Sequence, residues 1–508
     1  MHRTSPVLSG VRLAKRASRA SLPTFRAAAR VGLTPGALSV AGAVAAARRA
    51  LAEVPAYADF VAGHGAPPYA GRPAQWLSGL PIADKRSYID RYPLAALCRG
   101  GVLPARAVEL DESAGSSGRP YTWARSTAEL AEVHRSMAML ARHILAGEPT
   151  REAPVITLNG FSMGAWATGI NVSRALGRLG AVKSIGPDAE RMLATLELFG
   201  PGYTWVVTGY PPFLRTLLDL AATRGPDLSA YRIYGFVGGE GMSEVLRGRL
   251  ERRFRAVYSA YGASDLDIGV AVELPLSAWL RQQAAQRPEL AEALFGGRTR
   301  LPMVFQYDPT DYFVETVGGE LVVTVCRPAV LSPRVRYNIH DAGGSLPYRR
   351  VLEVCRDFGL DPERDSRNRA PLPVFRLPFL YVHGRSDSTV SVHGANIYPE
   401  DVEWGLGEAP DADLVLGYAL DLHEDAAGVV RPLVHVETPH PPPPGLAQRL
   451  AGAVRARLLA NSADVRAAAA EYPQLAEIEV RLYPPGGGPF RADAGRIKRR
   501  YVLAGGAR

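Results

Sequence analysis

The chain has 508 residues, 47% apolar and 21% charged, with a formal net charge of +9. That length and balance suit a soluble globular protein of two or more domains and exclude a chain too charged to collapse. No apolar run approaches the roughly eighteen residues of a membrane helix; residues 36–47 are rich in Ala and Gly and are followed at once by Arg48 and Arg49.

Three cysteines, Cys98, Cys326 and Cys355, are too few and too scattered for a disulfide framework or a metal cluster. A reducing, cytoplasmic setting is therefore expected. The first acidic residue is Glu53. The Arg- and Ser-rich stretch before it superficially suggests a transit peptide, but it reads as a surface arm followed by a helix. The positive balance comes with no nucleic-acid motif and no basic stripe studded with aromatics, and it suits a polyphosphate substrate equally well. Of the 59 basic residues, only Lys15, Lys85, Lys183 and Lys498 are lysines, which marks each of them for attention.

In chain order, residues 36–100 are expected to be helical, with Pro and Gly punctuation around 66–72. From 101 to 270 apolar strand-like runs alternate with amphipathic helices: 155–158 then 163–179, 204–208 then 212–222, 234–237 then 243–253. Such alternation predicts an α/β domain with parallel strands. From 303 to 336 strands follow one another, including 320–325, with a further one at 334–339. Residues 379–383 read as another strand, and the charged stretch 384–387 follows it like a joint. Beyond that, short strands mix with one long helix near 446–470, entered through the prolines at 441–444, where a missing N–H costs nothing. The expected fold class is α/β: a large N-terminal domain of sheets sandwiched with helices (1–384) and a small α+β C-terminal domain (385–508).

The strongest local signal is Ser113-Ala114-Gly115-Ser116-Ser117-Gly118-Arg119-Pro120. Its glycines let the backbone approach an anion, its hydroxyls donate hydrogen bonds, and Arg119 adds a planar cation. By composition alone it is equally a flexible turn, and the common nucleotide loop Gly-x-x-x-x-Gly-Lys-Ser/Thr is absent. A rival motif is Gly160-Phe161-Ser162-Met163-Gly164, a strand-to-helix Gly-x-Ser-x-Gly turn like the nucleophile elbow of α/β-hydrolases, with Asp387 and His393 following in triad order. A chain with 51 glycines also yields such a pattern readily by chance.

The serine- and glycine-rich segment resembles the phosphate loop of the adenylate-forming, acyl-CoA synthetase superfamily, and more specifically of the phenylacetate–CoA ligase family. The resemblance runs in family order over roughly residues 50–500. It takes in Val54-Pro55-Ala56-Tyr57, Leu80-Pro81-Ile82-Ala83-Asp84-Lys85, Tyr261-Gly262-Ala263-Ser264-Asp265, Arg336-Tyr337-Asn338-Ile339-His340-Asp341, Gly384-Arg385-Ser386-Asp387, and Gly394-Ala395-Asn396-Ile397-Tyr398-Pro399 with Glu403.

It implies an enzyme that uses ATP to convert a carboxylic acid into an acyl-AMP and then passes the acyl group on. Ser113, Gly115, Ser116, Ser117, Gly118 and Arg119 are then the phosphate loop. A carboxylate at Asp341 can accept from both ribose hydroxyls, charge-assisted bonds worth about 1.5–3 kcal/mol each. Arg385 lies near the nucleotide in the family. Tyr261 and Gly262, with Ser264 beyond, offer a face and close backbone approach to adenine, and Gly239 with Glu240 forms the opposite wall. Asp265 stands where the family has Glu, as the holder of Mg²⁺, its shorter side chain acting through water. Asp387 matches the pivot of the small domain. The acyl pocket is expected at Met163, Trp166, Gly169 and Tyr210, apolar enough for an aromatic or other bulky acid.

The C-terminal match is looser. The family ends in Gly-Lys-x-x-Arg, whose lysine acts in adenylation, whereas this chain has Gly495-Arg496-Ile497-Lys498-Arg499-Arg500. Strict register puts Arg496 at the catalytic position, and Lys498 shares its face if the segment is a strand. The resemblance favours CoA as acceptor. However, His393 stands where the family has an Arg, and some relatives pass the acyl group to an amine, which keeps an amide synthetase open as the alternative. No nucleic acid or membrane partner is expected.

Overall fold

The structure is a computed structural model. It describes residues 21–493 apart from 32–35, 67, 70, 114–120, 147–152, 165–166, 240, 297–300, 386–389, 393–394, 398, 425–429, 440, 462–464, 467–468 and 470–475. The chain separates into two compact units. One runs to Val382; the other holds the short stretches 243–245 and 291–301 and the chain from His383 onward.

The first unit opens with helices Ala37–Glu53, Pro55–Gly63 and Pro73–Ser78, the last two carrying proline in their first turn. The Ala- and Gly-rich stretch that begins the first of these is buried in the core, and among the described residues no helix is long and apolar enough to cross a membrane. An antiparallel hairpin follows, β1 (Val108–Ser113) with β2 (Tyr121–Ser126), Ser113 pairing Tyr121 at the end adjoining residues 114–120 in sequence. A capping box then starts helix Thr127–Leu145: Ser126 Oγ accepts the Glu129 amide, and the Glu129 carboxylate accepts the Ser126 amide. The same buried carboxylate accepts the Leu331 amide at 2.6 Å, so the foot of the hairpin is anchored to a loop 202 residues away.

The alternating segments fold as expected. Strands β3 (Val155–Asn159), β4 (Ala181–Ser184), β5 (Thr204–Gly209), β6 (Arg232–Gly238) and β7 (Ala256–Ala263) lie parallel, with helices Ala167–Leu176, Ala189–Phe199, Pro211–Arg224 and Glu244–Glu251 between them. Every residue of β5 is buried, as a parallel strand covered on both faces requires. The antiparallel part comprises β8 (Asp267–Val272), β9 (Met303–Tyr307), β10 (Tyr312–Val317), β11 (Glu320–Val325), β12 (Tyr337–Leu346) and β13 (Phe379–Arg385). One eleven-stranded sheet results, in the order β10-β11-β12-β13-β9-β8-β7-β6-β5-β3-β4.

Two boundaries differ from the sequence expectation. The strand placed at 334–339 begins only at Tyr337, because Arg336 has φ 44°, outside the extended region. The helix expected to reach 179 ends at Leu176. The helix after the prolines at 441–444 is described over Leu446–Asn461.

In the second unit, β14 (Val390–Val392) and β15 (Ala395–Ile397) form a small ladder. Strands β16 (Gly417–Glu424), β17 (Val430–Glu437) and β18 (Glu479–Tyr483) form a sheet, with β16–β17 antiparallel and β17–β18 parallel. Helices Pro399–Glu408 and Leu446–Asn461 share a separate core with them around Val402, Leu406, Val434 and Val454. Gly405 is required there, since a Cβ would sit 2.5 Å from Val454 Cα. Cys98, Cys326 and Cys355 are buried.

One fully buried ion pair pins helix Glu244–Glu251 to the sheet. Arg247 donates to Glu273 Oε1 at 2.6 Å and to the Val257 carbonyl at 2.5 Å, while Glu273 Oε2 accepts the Ser259 amide at 2.7 Å. Removing one partner strands the other charge out of water. Glu273→Ala is therefore expected to cost the first unit about 3–5 kcal/mol, read from denaturant unfolding; a loss below ~1 kcal/mol would mean that water reaches the guanidinium.

Candidate active site

Segments far apart in sequence meet at the start of β12. The Ala83 amide donates to the Arg336 carbonyl at 3.0 Å and the Asn338 amide to the Ala83 carbonyl at 2.8 Å, forming a parallel bridge between Ala83 and Tyr337. The buried Arg336 guanidinium completes the clasp, donating to Glu315 Oε2 at 3.0 Å, to the Ser78 carbonyl at 2.6 Å and to the Leu80 carbonyl. Arg336 and His340 both lie at positive φ, 44° and 61°, a conformation that costs a non-glycine residue on the order of 1–2 kcal/mol.

The clasp sets Asp84 opposite His340, whose Nε2 is 3.5 Å from Asp84 Oδ2 and whose Nδ1 is 3.2 Å from Glu320 Oε2. Burial pushes the Asp84 carboxyl up, but the Ser87 amide and hydroxyl and the facing His340 outweigh it and hold that carboxyl below its ordinary value.

Next to His340, Asp341 is 7% exposed and accepts the Tyr261 hydroxyl at 2.6 Å. In hydrogen-bonding order β12 and β7 are four strands apart. A flat sheet would separate them by about 19 Å, beyond the combined reach of the two side chains. The bond therefore requires the sheet to bend, and the register shift in β7 between Tyr261 and Ala263 marks where strand pairing gives way. Tyr261 also stacks on Phe305, with centroids 5.7 Å apart. Gly262 is demanded by backbone packing, because a Cβ there would collide with the Ile268 carbonyl. Gly239, just after β6, is exposed at φ 81°, open to close approach by a ligand.

The turn after β7 is held from below. Arg125 donates to the Ser264 carbonyl and, at 3.0 Å, to Asp111; Arg334 Nε donates to the Asp265 carbonyl at 2.6 Å. The Asp265 carboxylate receives Tyr337 Oη at 3.3 Å and lies 3.5 Å from Lys85 Nζ. Burial first, then the Asp265 charge, pushes the Tyr337 phenol far above its usual range, so it remains a donor. Among the described residues no three His, Cys, Asp or Glu side chains gather as a metal cage. One carboxylate suffices for an ion that draws its other ligands from phosphates and water, and Asp265 fits that mode.

The expected acyl-pocket residues fall around the β3 and β5 ends. Tyr210 is buried, its ring edge-on to Phe161 at 5.2 Å. Gly169 sits against the Ser162 carbonyl, and its own carbonyl accepts from the Asn159 side-chain amide at 2.7 Å, while Met163 is half-buried. Asn159 also accepts Thr208 Oγ1 at 2.8 Å, locking the two strand ends together. Ser162, the nucleophile of the rival hydrolase motif, is buried.

Several expected positions lie outside the described residues: Gly115, Ser116, Ser117, Gly118, Arg119, Trp166, Glu240, Asp387, His393, Arg496 and Lys498. Ser113 and Arg385 are described only as the last residues of β1 and β13. The sequence reading assigned no role to Lys85, Tyr337, Arg125, Arg334 or His340. The scarcity of lysine and the 80–85 motif were the signals for Lys85, and Tyr337 and His340 lay within the 336–341 motif; Arg125 and Arg334 are arginines whose meaning is positional.

No family model matches the chain. In sequence it is 23% identical over 366 residues to the phenylacetate–coenzyme A ligase of Pseudomonas putida, covering 70% of this chain and 72% of that protein. It is 22% identical over 355 residues to the corresponding ligase of Aromatoleum evansii, covering 69% of each. In structure it superposes on a 2-hydroxyisobutyryl-CoA ligase in complex with 2-HIB-AMP with a TM-score of 0.62, at 14% identity, over 90% of this chain and 91% of that one. The chain thus has the two-domain fold of the adenylate-forming ligases. Within that superfamily its sequence relatives are the phenylacetate–CoA ligases.

If Arg336 closes the clasp, Arg336→Ala should accelerate hydrogen exchange at the Ala83 and Asn338 amides at least ~10-fold, the equivalent of losing about 1.4 kcal/mol of local protection. Val206 in β5 should exchange at its wild-type rate; equal acceleration at all three would indicate global destabilisation instead.

Proposed function

We propose that this protein is an adenylate-forming acid ligase, which joins a carboxylic acid to AMP with release of pyrophosphate and then passes the acyl group to CoA. The observation that carries this reading is the convergence of the 80–85, 261–265 and 336–341 segments beside the hairpin that bears the 113–120 loop. Each of these segments resembles the adenylate-forming pattern on its own, and in the folded chain they are neighbours. The sequence relatives are both CoA ligases, which favours CoA as acceptor.

In this reading Asp341 accepts from the ribose hydroxyls, with Tyr261 presetting the carboxylate's rotamer. The ring of Tyr261 and the bare backbone of Gly262 face adenine, opposite Gly239 and Glu240. The phosphates lie along the 113–119 loop, and Arg385 approaches the nucleotide. Asp265 would hold Mg²⁺, which supplies charge neutralisation to the polyphosphate. The acid enters between the Met163–Gly169 region and Tyr210, where an apolar floor beside the buried Phe161 ring suits an aromatic group. The carboxylate oxygen attacks the α-phosphorus and pyrophosphate departs; Lys498 or Arg496 offsets the developing charge. Rotation about Asp387 then admits the thiol of CoA, whose attack on the acyl carbon releases AMP. His393 in place of the family arginine is the one feature that favours an amine acceptor.

An acid-dependent exchange of labelled pyrophosphate into ATP, run over a panel of aromatic and aliphatic acids, tests the first half-reaction. Adding CoA alone, and then amines without CoA, tests the second. Exchange is expected with at least one bulky acid, and Asp341→Ala should weaken ATP binding at least ~10-fold, or about 1.4 kcal/mol. No exchange with any acid would overturn the reading.

The C-terminal basic pair gives a ranking. Lys498→Ala is expected to slow the exchange by about 10²–10³, the scale of one lost preorganised donor, and Arg496→Ala by less. The reverse order would return the catalytic position to Arg496.

A further inference from the structure

Lys85 is one of four lysines among 59 basic residues, and it ends the segment clasped to β12. Its stem reaches across the stacked rings of Tyr121 and Trp123, with the ammonium 5.0 and 5.7 Å from their centroids. The nitrogen lies 3.5 Å from Asp265 Oδ2, where the carboxylate side chain is 9% exposed and the lysine side chain 29%. Tyr121 pairs Ser113, so this ammonium stands at the end of the β1–β2 hairpin that adjoins residues 114–120 in sequence. Tyr337 Oη already donates to the same carboxylate oxygen at 3.3 Å.

The geometry combines three things that a purely structural ion pair does not need together. The backbone of the lysine is fixed through its neighbours, its cation rests on an aromatic platform, and a substantial part of its surface stays open. An ammonium has three donors around a compact charge, so one partner at 3.5 Å leaves donors for a second anion. Aromatic faces attract the cation without quenching its charge. A divalent ion engaging Asp265 weakens its hold on the ammonium, because the two cations repel each other at that separation.

Resting on the reading of this site as an ATP site, we propose that Lys85 is a substrate-binding cation for the polyphosphate, held on Asp265 while the site is free of nucleotide and released toward the phosphates when a nucleotide–metal complex engages that carboxylate. Asp265 then has two functions: it parks the lysine when no metal is present and frees it when one arrives. The shorter aspartate side chain at this position suits the arrangement, since it keeps its charge close to β7 and within reach of an ammonium that approaches from the 80–85 segment.

The test measures binding of a non-hydrolysable ATP analogue by calorimetry, once with Mg²⁺ and once with EDTA. It compares the wild-type chain, Lys85→Gln, Lys85→Arg, Asp265→Asn and the Lys85→Gln/Asp265→Asn double variant. Lys85→Gln should weaken metal-free binding at least ~10-fold and binding with Mg²⁺ by less, with Lys85→Arg recovering part of the loss. Asp265→Asn, an isostere that preserves packing, should tighten metal-free binding by freeing the ammonium and should reduce the gain produced by Mg²⁺. The double variant should lose that tightening, which separates a freed lysine from the mere removal of a negative charge. Metal-free affinity of Lys85→Gln within about twofold of wild type would overturn the proposal, as would tightening by Asp265→Asn that survives in the double variant. Failure of the wild-type chain to bind the analogue under either condition would instead overturn the ATP reading itself, and this proposal with it.

Discussion

The arrangement of the site depends on one buried guanidinium. Arg336 turns the chain at positive φ just before β12 and spreads its donors over Glu315 and the carbonyls of Ser78 and Leu80. A guanidinium suits this work because its planar fork can serve several fixed acceptors at once, whereas an ammonium would concentrate its charge on one point. Once that contact is made, the Ala83–Tyr337 bridge is in register, and Asp84 and Lys85 have one place to go. The strain at Arg336 and His340 is therefore compensated by the pairing that it permits, and it is located where the two ends of the motif are joined.

Charge around the site is organised in tiers. The deep groups, Arg125 with Asp111 and Arg334 beneath the Asp265 carbonyl, are buried and paired, so they shape the backbone and offer little to a ligand. The nearer groups Lys85, Asp84 and His340 keep partial exposure, and Asp265 is buried beside Lys85. A polyphosphate arriving in such a place meets a backbone that is already set, which lowers the reorganisation it must pay for.

The Gly160–Gly164 turn illustrates how a motif can be explained by packing. A Cβ at Gly160 would lie 2.5 Å from the Phe213 ring and 2.6 Å from the Thr208 carbonyl, and one at Gly169 would overlap the Ser162 carbonyl. Gly160 and Gly169 are there because two strand ends and a helix crowd together, with Asn159 bonding to both sides, whereas Gly164 stands in open space at φ 91°. The same crowding builds a wall with an aromatic floor from Phe161 and Tyr210, which is a use that the adenylate-forming reading has for the turn and that a nucleophile elbow does not need.

Hydrophobic periodicity and punctuation in the sequence were enough to determine the fold class, the parallel run of β3, β5 and β6 with their helices, the antiparallel succession that follows, and the order of the motifs. These are local properties: each strand or helix carries its own pattern, and each motif its own residue types. Asp341 and Tyr261 were legible as candidate site residues for the same reason, but not as partners, because nothing in either segment encodes a bond across four strands of a bent sheet. The late start of β12 was hidden too, since a left-handed arginine leaves no compositional trace. Lys85 was visible as a rare residue and as the end of the 80–85 motif; its meaning required Tyr121 and Trp123 of β2 and Asp265 after β7 to be brought to it by packing from two other parts of the chain. Tertiary structure alone decided which charges are buried and paired and which remain available, because burial and distance are set by contacts between residues that sequence separates by tens to hundreds of positions.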